Sequence, residues 1–264
     1  MAEQQIVFND GAAYEQMMGK WSRLAGEVFL DWLGPAQGLR WVDVGCGNGA
    51  STQMIYDRCA PSVLKGIDPS PAQLEFARTR PSAQLAEFEL GNAMALPFAA
   101  AEFDVAIMAL VIFFVPDPAK GVAEMVRVVR PGGLVAAYAW DIPGGGFPLE
   151  PIQAEMRAFG FEPLRPPSAD VSRIDALARL WTEAGLINVE TREIVVQRDF
   201  ADFDDFWRTG LLGATIGPLI ASMALDDVTL LKEKVRARVT VGEAGRVSYV
   251  ARANAVKGMT PARI

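Results

Sequence analysis

The 264-residue sequence contains no histidine. That removes imidazole metal ligands, histidine general bases and Ser–His or Cys–His nucleophiles. No metal site is expected. Cysteine is scarce: Cys46 and Cys59 are the only two, and neither has a CxxC partner. A reduced, cytoplasmic setting is therefore expected. Long hydrophobic runs are missing too. The longest, Val105 to Val115, is closed by Asp104 and Pro116 and is too short to span a bilayer. The opening M-A-E-Q-Q-I lacks the basic-then-apolar pattern of a signal peptide. Positive charge is in deficit, with 25 Lys and Arg against 32 Asp and Glu, a net charge of −7. The basic residues are scattered, which argues against a nucleic-acid-binding face.

Apolar residues and glycines fill the space these absences leave. Hydrophobic residues make up 51% of the chain, enough to bury a sizeable core in one domain with a cap. The chain is organised around L-R-W-V-D-V-G-C-G-N-G-A-S-T, residues 39–52. Trp41–Val44 reads as a buried strand. Gly45, Gly47 and Gly49 read as a tight turn with no Cβ to block a ligand. From Ala50 a helix begins, with its free N–H groups facing the turn. A strand–glycine turn–helix unit places a nucleotide-like ligand at the carboxyl end of the first strand.

Two ligand classes compete for this loop. Gly45, Gly47 and Ala50 satisfy the dinucleotide pattern G-x-G-x-x-G/A, a weak match alone. The acid before the glycines separates the classes. Asp43, near the end of the strand, would repel a pyrophosphate and would suit a cationic sulfonium bearing an amino group.

Before the turn, residues 6–33 carry a helical pattern: Tyr14, Met17, Met18 and Trp21, then Leu24, Val28, Phe29 and Trp32. After it, Ala50–Cys59 is the first crossover helix and Val63–Ile67 the second strand, ending at Asp68. That acid lies near the usual ribose-binding distance of about 20 residues from the glycines. Ser70-Pro71-Ala72-Gln73 is a capping box that starts a helix. Ala86–Leu90 alternates like an edge strand and ends at Gly91-Asn92-Ala93. Phe103–Leu110 is apolar throughout its middle, as a central parallel strand is, and opens onto Phe113-Phe114. A helix over Ala119–Val129 is stopped by Arg130-Pro131-Gly132-Gly133, and Leu134–Trp140 is a fifth strand ending at Asp141. Pro143–Pro167, rich in Gly and Pro, reads as a mobile connection. Ile187–Arg198 and Arg246–Val256 read as the last two strands, with an aromatic-rich helical cap, Ala201–Arg238, between them.

Five segments, V-D-V-G-C-G-N-G-A, G-I-D-P-S, G-N-A-M-A-L-P-F, F-D-V-A-I-M-A and V-V-R-P-G-G-L, together resemble class I S-adenosylmethionine-dependent methyltransferases. The branch is similar to ubiquinone and menaquinone biosynthesis enzymes, and the N-terminal Y-E-Q-M-M-G-K-W-S-R resembles its leader. The resemblance implies an α/β, Rossmann-like, doubly wound seven-stranded sheet, mostly parallel with the last strand antiparallel. Residues 1–38 would cover a core over 39–140, and 201–240 would be the helical cap.

The resemblance also assigns residues. Gly45 and Gly47 would pass beneath the methionine part of S-adenosylmethionine, with Asp43 nearby, and Cys46, Asn48 and Gly49 of the same turn would also bind the cofactor. Asp68 would take the ribose, next to Pro69 and Gln73. Asn92, Ala93 and Met94 would face the adenine, Asn92 replacing a commoner aspartate. Leu110 would lie beside the cofactor, and Tyr14, Trp21 and Arg23 would close over it. Phe113 and Phe114 stand where many relatives carry His-His, so histidine-assisted deprotonation is excluded. Those two, with Phe206 and Trp207, are the expected walls of a pocket for a small, largely apolar acceptor. Asp141, Tyr138, Glu150 and Tyr14 are weak candidates for a base. S-adenosylhomocysteine would be the product. A nicotinamide-dependent oxidoreductase and a non-catalytic S-adenosylmethionine-binding protein are the alternatives. The sequence leaves the oligomeric state open.

Overall fold

The computed structural model describes residues 15–242 and 245–262. A single π-helical turn, Glu15–Gly19, leads into α1 (Lys20–Leu33). Helix α1 is amphipathic and buries Trp21, Ala25, Phe29 and Leu33. Gly34 ends it in the left-handed conformation at φ +55°.

The chain then alternates strand and helix: β1 (Arg40–Val44), α2 (Ala50–Cys59), β2 (Val63–Asp68), α3 (Pro71–Ala77), β3 (Ala86–Leu90), β4 (Phe103–Ala109), α4 (Pro118–Val128) and β5 (Val129–Trp140). Ser70 caps α3 as the capping box predicts, its hydroxyl accepting from the Gln73 N–H. There follow α5 (Glu150–Ala158), α6 (Ile174–Glu183), β6 (Ile187–Phe200), α7 (Phe203–Leu211), α8 (Gly217–Ala221), α9 (Leu225–Arg238), the short β7 (Thr240–Val241) and β8 (Val247–Met259).

The sheet order is β3-β2-β1-β4-β5-β8-β6, with β7 hydrogen-bonded to β8 off that path. Strands β3, β2, β1, β4 and β5 pair in parallel. Strand β8 runs antiparallel to both β5 and β6. The chain order reverses direction across the sheet between β1 and β4. In a doubly wound sheet a ligand crevice opens at that point, at the carboxyl ends of the strands. The middle strands are buried on both faces because helices cover both: β4 exposes almost nothing between Val105 and Met108.

Several elements differ from the sequence reading. Seven strands form the path as expected, and the two-residue β7 makes an eighth. Arg130–Gly133 does not break the chain between α4 and β5. The strand runs through it, with a register shift against β4 and Gly132 at φ +73°. Its N–H groups are still satisfied, because Gly132 donates to the Thr260 carbonyl and Gly133 to the Thr260 hydroxyl. Pro143–Pro167 is no loose connection. Asp141 accepts from the Gly144 N–H, Gly146 donates to the Asp141 carbonyl, and helix α5 follows. No helix among the described residues is long and apolar enough to cross a membrane.

Candidate active site

The three glycines of the turn after β1 serve three physical ends. All have positive φ, at +79° for Gly45, +52° for Gly47 and +78° for Gly49. A Cβ on Gly45 would lie 2.4 Å from a Val111 methyl, and one on Gly49 would lie 3.0 Å from the Ala77 methyl. Those two glycines let the turn pack against the loop after β4 and against α3. A Cβ on Gly47 would meet nothing nearer than Gln73 Oε1 at 4.0 Å. Gly47 is thus the glycine whose open side a ligand can approach. The turn is fastened to β2, since the Gly45 and Cys46 N–H groups both donate to the Ile67 carbonyl, at 2.7 and 3.0 Å.

Asp68 stands beside this opening. Its Oδ2 accepts from the Gly47 N–H at 2.9 Å and its Oδ1 from the Ser70 N–H at 2.8 Å. Burial pushes its pKa up and the two N–H donors pull it back. Each oxygen keeps acceptor capacity for a hydroxyl. Gln73 is buried at the same opening, while Pro69 is exposed. Asn92 lies at the end of the edge strand β3, where its Oδ1 accepts from the Met94 N–H at 2.8 Å. This is an Asx turn, and it leaves the amide nitrogen as the outward polar group. Ala93 and Met94 are half-buried beside it.

Asp43 is fully buried. Its Oδ2 accepts from Ser51 Oγ at 2.5 Å and Thr52 Oγ1 at 2.7 Å, which ties β1 to the first turn of α2. Its Oδ1 has no partner among the described residues. Burial pushes its pKa up to about 6, against the pull of Ser51 and Thr52, and nearby Asp68 adds to the rise.

Two residues that the sequence reading did not single out close the turn from above. Arg80 Nε donates to the Asn48 carbonyl at 2.6 Å, and Arg80 Nη2 pairs with Glu15 Oε2 at 2.8 Å. Asn48 Nδ2 donates to the same Glu15 oxygen at 3.1 Å. Glu15 and Arg80 are far apart in sequence, so no local pattern couples them.

An apolar cavity begins next to the glycine turn. Leu110, the residue before Val111, adopts φ +61°, and its N–H donates to the Tyr138 carbonyl at 2.8 Å. A left-handed leucine is a strained conformer of the kind that clusters at functional sites. Leu110, Phe113, Phe114 and Trp140 form the floor and one wall. The rings of Phe113 and Phe114 lie 4.6 Å apart. Met17, Met18, Ile142, Phe147, Leu149, Gln153, Leu164–Pro166 and Gly213–Thr215 also line it, and of these Arg165 and Ala214 are exposed, which marks the mouth. The cap and the Pro-rich stretch both reach the cavity, though mostly through residues whose local pattern gave no sign of it.

Other expected site residues lie elsewhere. Phe206 and Trp207 are buried where the cap meets the sheet, Phe206 packed on Phe200 of β6 at 5.2 Å and Trp207 stacked with Phe203. Their helical spacing placed them on the inner face of α7, and the cap shows the cavity Gly213–Thr215 instead. Trp21 is 1% exposed and meets Trp140 edge-on at 6.5 Å, so it backs the cavity wall from within the core. Arg23 is exposed and, among the described residues, has only a 4.0 Å pairing with Glu27. The Cys46 thiol turns into the sheet beside Gly66 and Phe88, and burial pushes its pKa up.

None of the described candidates for a base lines the cavity. Asp141 is held by Arg252 Nη2 at 2.6 Å, Glu150 pairs with Arg157, and Tyr138 is buried against Phe29 at 4.6 Å. Tyr14 lies outside the described residues.

Residues 42–137 match the family described as methyltransferase domain. An O-methyltransferase of Penicillium expansum is 33% identical over 182 residues, 65% of this chain and 60% of its own. A demethylmenaquinone methyltransferase of Renibacterium salmoninarum is 34% identical over 142 residues, 53% of this chain and 56% of its own. The chain spans about half the length of the curated relatives it matches. A solved phosphoethanolamine N-methyltransferase 2 of Haemonchus contortus, in complex with S-adenosyl-L-methionine, superposes with a TM-score of 0.56. It is 18% identical and covers 94% of this chain and 56% of its own. That likeness is one of fold.

Proposed function

We propose that the protein is a class I S-adenosylmethionine-dependent methyltransferase that methylates a small, largely apolar molecule seated in the Leu110–Phe113 cavity, a reading supported by the match of residues 42–137 to a methyltransferase domain. One observation carries the reading. The only open glycine of the turn lies beside a ribose-ready carboxylate, Asp68, and the same turn packs through Gly45 on Val111, the neighbour of Leu110 in the cavity wall. A donor lying over Gly47 is thereby adjacent to an acceptor in the cavity.

The residues fit such a donor. Gly47 leaves room for it, Asp68 accepts ribose hydroxyls, and the buried, unpartnered Asp43 Oδ1 puts negative charge beneath the turn for a cation above it. When bound, S-adenosylmethionine supplies a methyl carbon already activated by the sulfonium. The protein's part is to align and to dry the site. Phe113, Phe114, Met17 and Trp140 exclude water from the acceptor. No carboxylate, tyrosine or lysine lines the cavity among the described residues, so the acceptor atom is nucleophilic on arrival or gives up its proton to solvent. Asn92, Ala93, Met94 and Gln73 border the adenosine side in this reading.

Calorimetry with S-adenosylhomocysteine tests it, with NADH as the control. Hydrogen bonds to a charged group contribute about 1.5–3 kcal/mol. Asp68→Ala is therefore expected to weaken binding tenfold or more, and NADH to show no binding. A loss below about twofold, or tighter binding of NADH, contradicts the proposal.

A further inference from the structure

The cavity has one ionisable lining residue among those described, and it is a cation: Arg165. Gln153 and Thr215 are the other polar side chains, both uncharged. Some arginines of this acidic chain are committed to carboxylates at short range, as Arg252 is to Asp141 at 2.6 Å and Arg40 to Asp104 at 3.0 Å. Arg165 is not. Among the described residues it makes no hydrogen bond, and its single pairing is a 3.9 Å contact with Asp170, whose side chain is 85% exposed. Its five N–H donors are thus free to take a ligand.

Arg165 is also held in place at the mouth. Three residues on, the Ser168 N–H donates to the Phe113 carbonyl at 3.0 Å, and Ser168 Oγ donates to the Val115 carbonyl at 2.8 Å. Pro166 lies between and accepts from the Ala169 N–H at 3.2 Å. The arginine's backbone therefore stands on a strap stitched to the loop that carries Phe113 and Phe114, and its side chain reaches the cavity from there.

We infer that the acceptor is an amphipathic organic acid: its apolar body fills the Phe113–Phe147 cavity and its carboxylate pairs with Arg165 at the mouth. Guanidinium is planar and matches a carboxylate with two parallel hydrogen bonds. A cationic amine meets an unneutralised charge of its own sign there, so the same residue selects against it. Arg165 is in this account a specificity-determining residue, and the atom that receives the methyl lies deeper, on the apolar body. The inference rests on the proposed transfer reading for the identity of the deep site.

The test uses the full chain and three probes of one shape: 2-naphthoate, its methyl ester and 2-naphthylmethylammonium. Each is titrated calorimetrically into wild type, Arg165→Gln, Arg165→Lys and Phe114→Ala, with and without saturating S-adenosylhomocysteine. Wild type is expected to bind 2-naphthoate about fivefold or more tighter than the ester, and the ammonium weakest. Arg165→Gln should bring acid and ester to equal affinity without changing the ester. Arg165→Lys should keep part of the preference, and Phe114→Ala should weaken acid and ester alike. Equal binding of acid and ester by wild type, a preference that survives Arg165→Gln, or no binding of any probe overturns the inference. Failure of S-adenosylhomocysteine to bind wild type while the probe pattern holds counts against the transfer reading and leaves the anion selectivity standing.

Discussion

At the scale of single residues, Asp43 is the most consequential side chain that no solvent reaches. Its pKa rises from an ordinary 3.8 to about 6 because burial penalises the carboxylate. An acid with a raised folded pKa binds its proton more tightly in the native state. Its stabilising contribution is fully present below pH 3.8 and is lost as pH climbs through 6. The size of the effect is on the order of 3 kcal/mol by the linkage arithmetic. Asp43→Asn removes that dependence and keeps an oxygen for Ser51 and Thr52. Urea unfolding at pH 4 to 8 should show wild type losing stability relative to Asp43→Asn mainly as pH rises from 4 to 6, and levelling off above about 7. A difference that stays flat across that range contradicts the buried-charge account. The sequence placed this acid correctly before the glycines, but not its duty. Periodicity shows that Asp43 is on a strand, and only the fold shows that two hydroxyls of the next helix occupy one of its oxygens. The glycines were legible for a similar reason and to a similar extent. Their spacing marks a turn, but which of them faces packing and which faces space depends on Val111 and Ala77, distant in sequence.

At the scale of elements, the wall formed by Met17 and Met18 depends on a pin from β6. Arg198 Nη1 donates to the Met17 carbonyl at 2.8 Å, and its guanidinium lies over the Phe200 ring at 4.5 Å. Desolvation lowers its pKa, and its Nε is buried without a partner among the described residues, so the side chain is held there against a solvation cost. Arg198→Ala should free the Glu15–Gly19 turn without touching the central sheet. Hydrogen exchange at Met17 and Met18 is expected to speed by an order of magnitude or more, since charge-assisted hydrogen bonds contribute about 1.5–3 kcal/mol, with Val105–Met108 unchanged. Unaltered exchange at Met17 and Met18 would show that packing alone holds the wall. The alternating strands and crossover helices from β1 to β5 were readable in the sequence because each is a local pattern. The closure of the cavity was not. Arg198 and Met17, or Arg80 and Glu15, are joined only after the sheet has formed. Phe206 and Trp207 were misplaced because an aromatic stripe reads alike whether it faces a ligand or a core.

At the scale of the whole molecule, the order β3-β2-β1-β4-β5-β8-β6 gathers the carboxyl ends of β1, β2, β4 and β5 at one edge. The acidic turn comes from the first two and the apolar cavity from the last two. In the proposed function this makes a donor and an acceptor neighbours although their residues are spread from Met17 to Thr215. Strands β6 and β8 extend the same sheet, and the segment between α7 and α8 reaches the cavity through Gly213–Thr215. The central claim is this adjacency, and crystals of the protein grown with S-adenosylhomocysteine examine it most directly. The account predicts density across Gly47, ribose hydroxyls on Asp68, and the sulfur atom turned toward Leu110 and Phe113. Density elsewhere, or a sulfur atom turned away from the cavity with the adenosine toward Phe113, would contradict it.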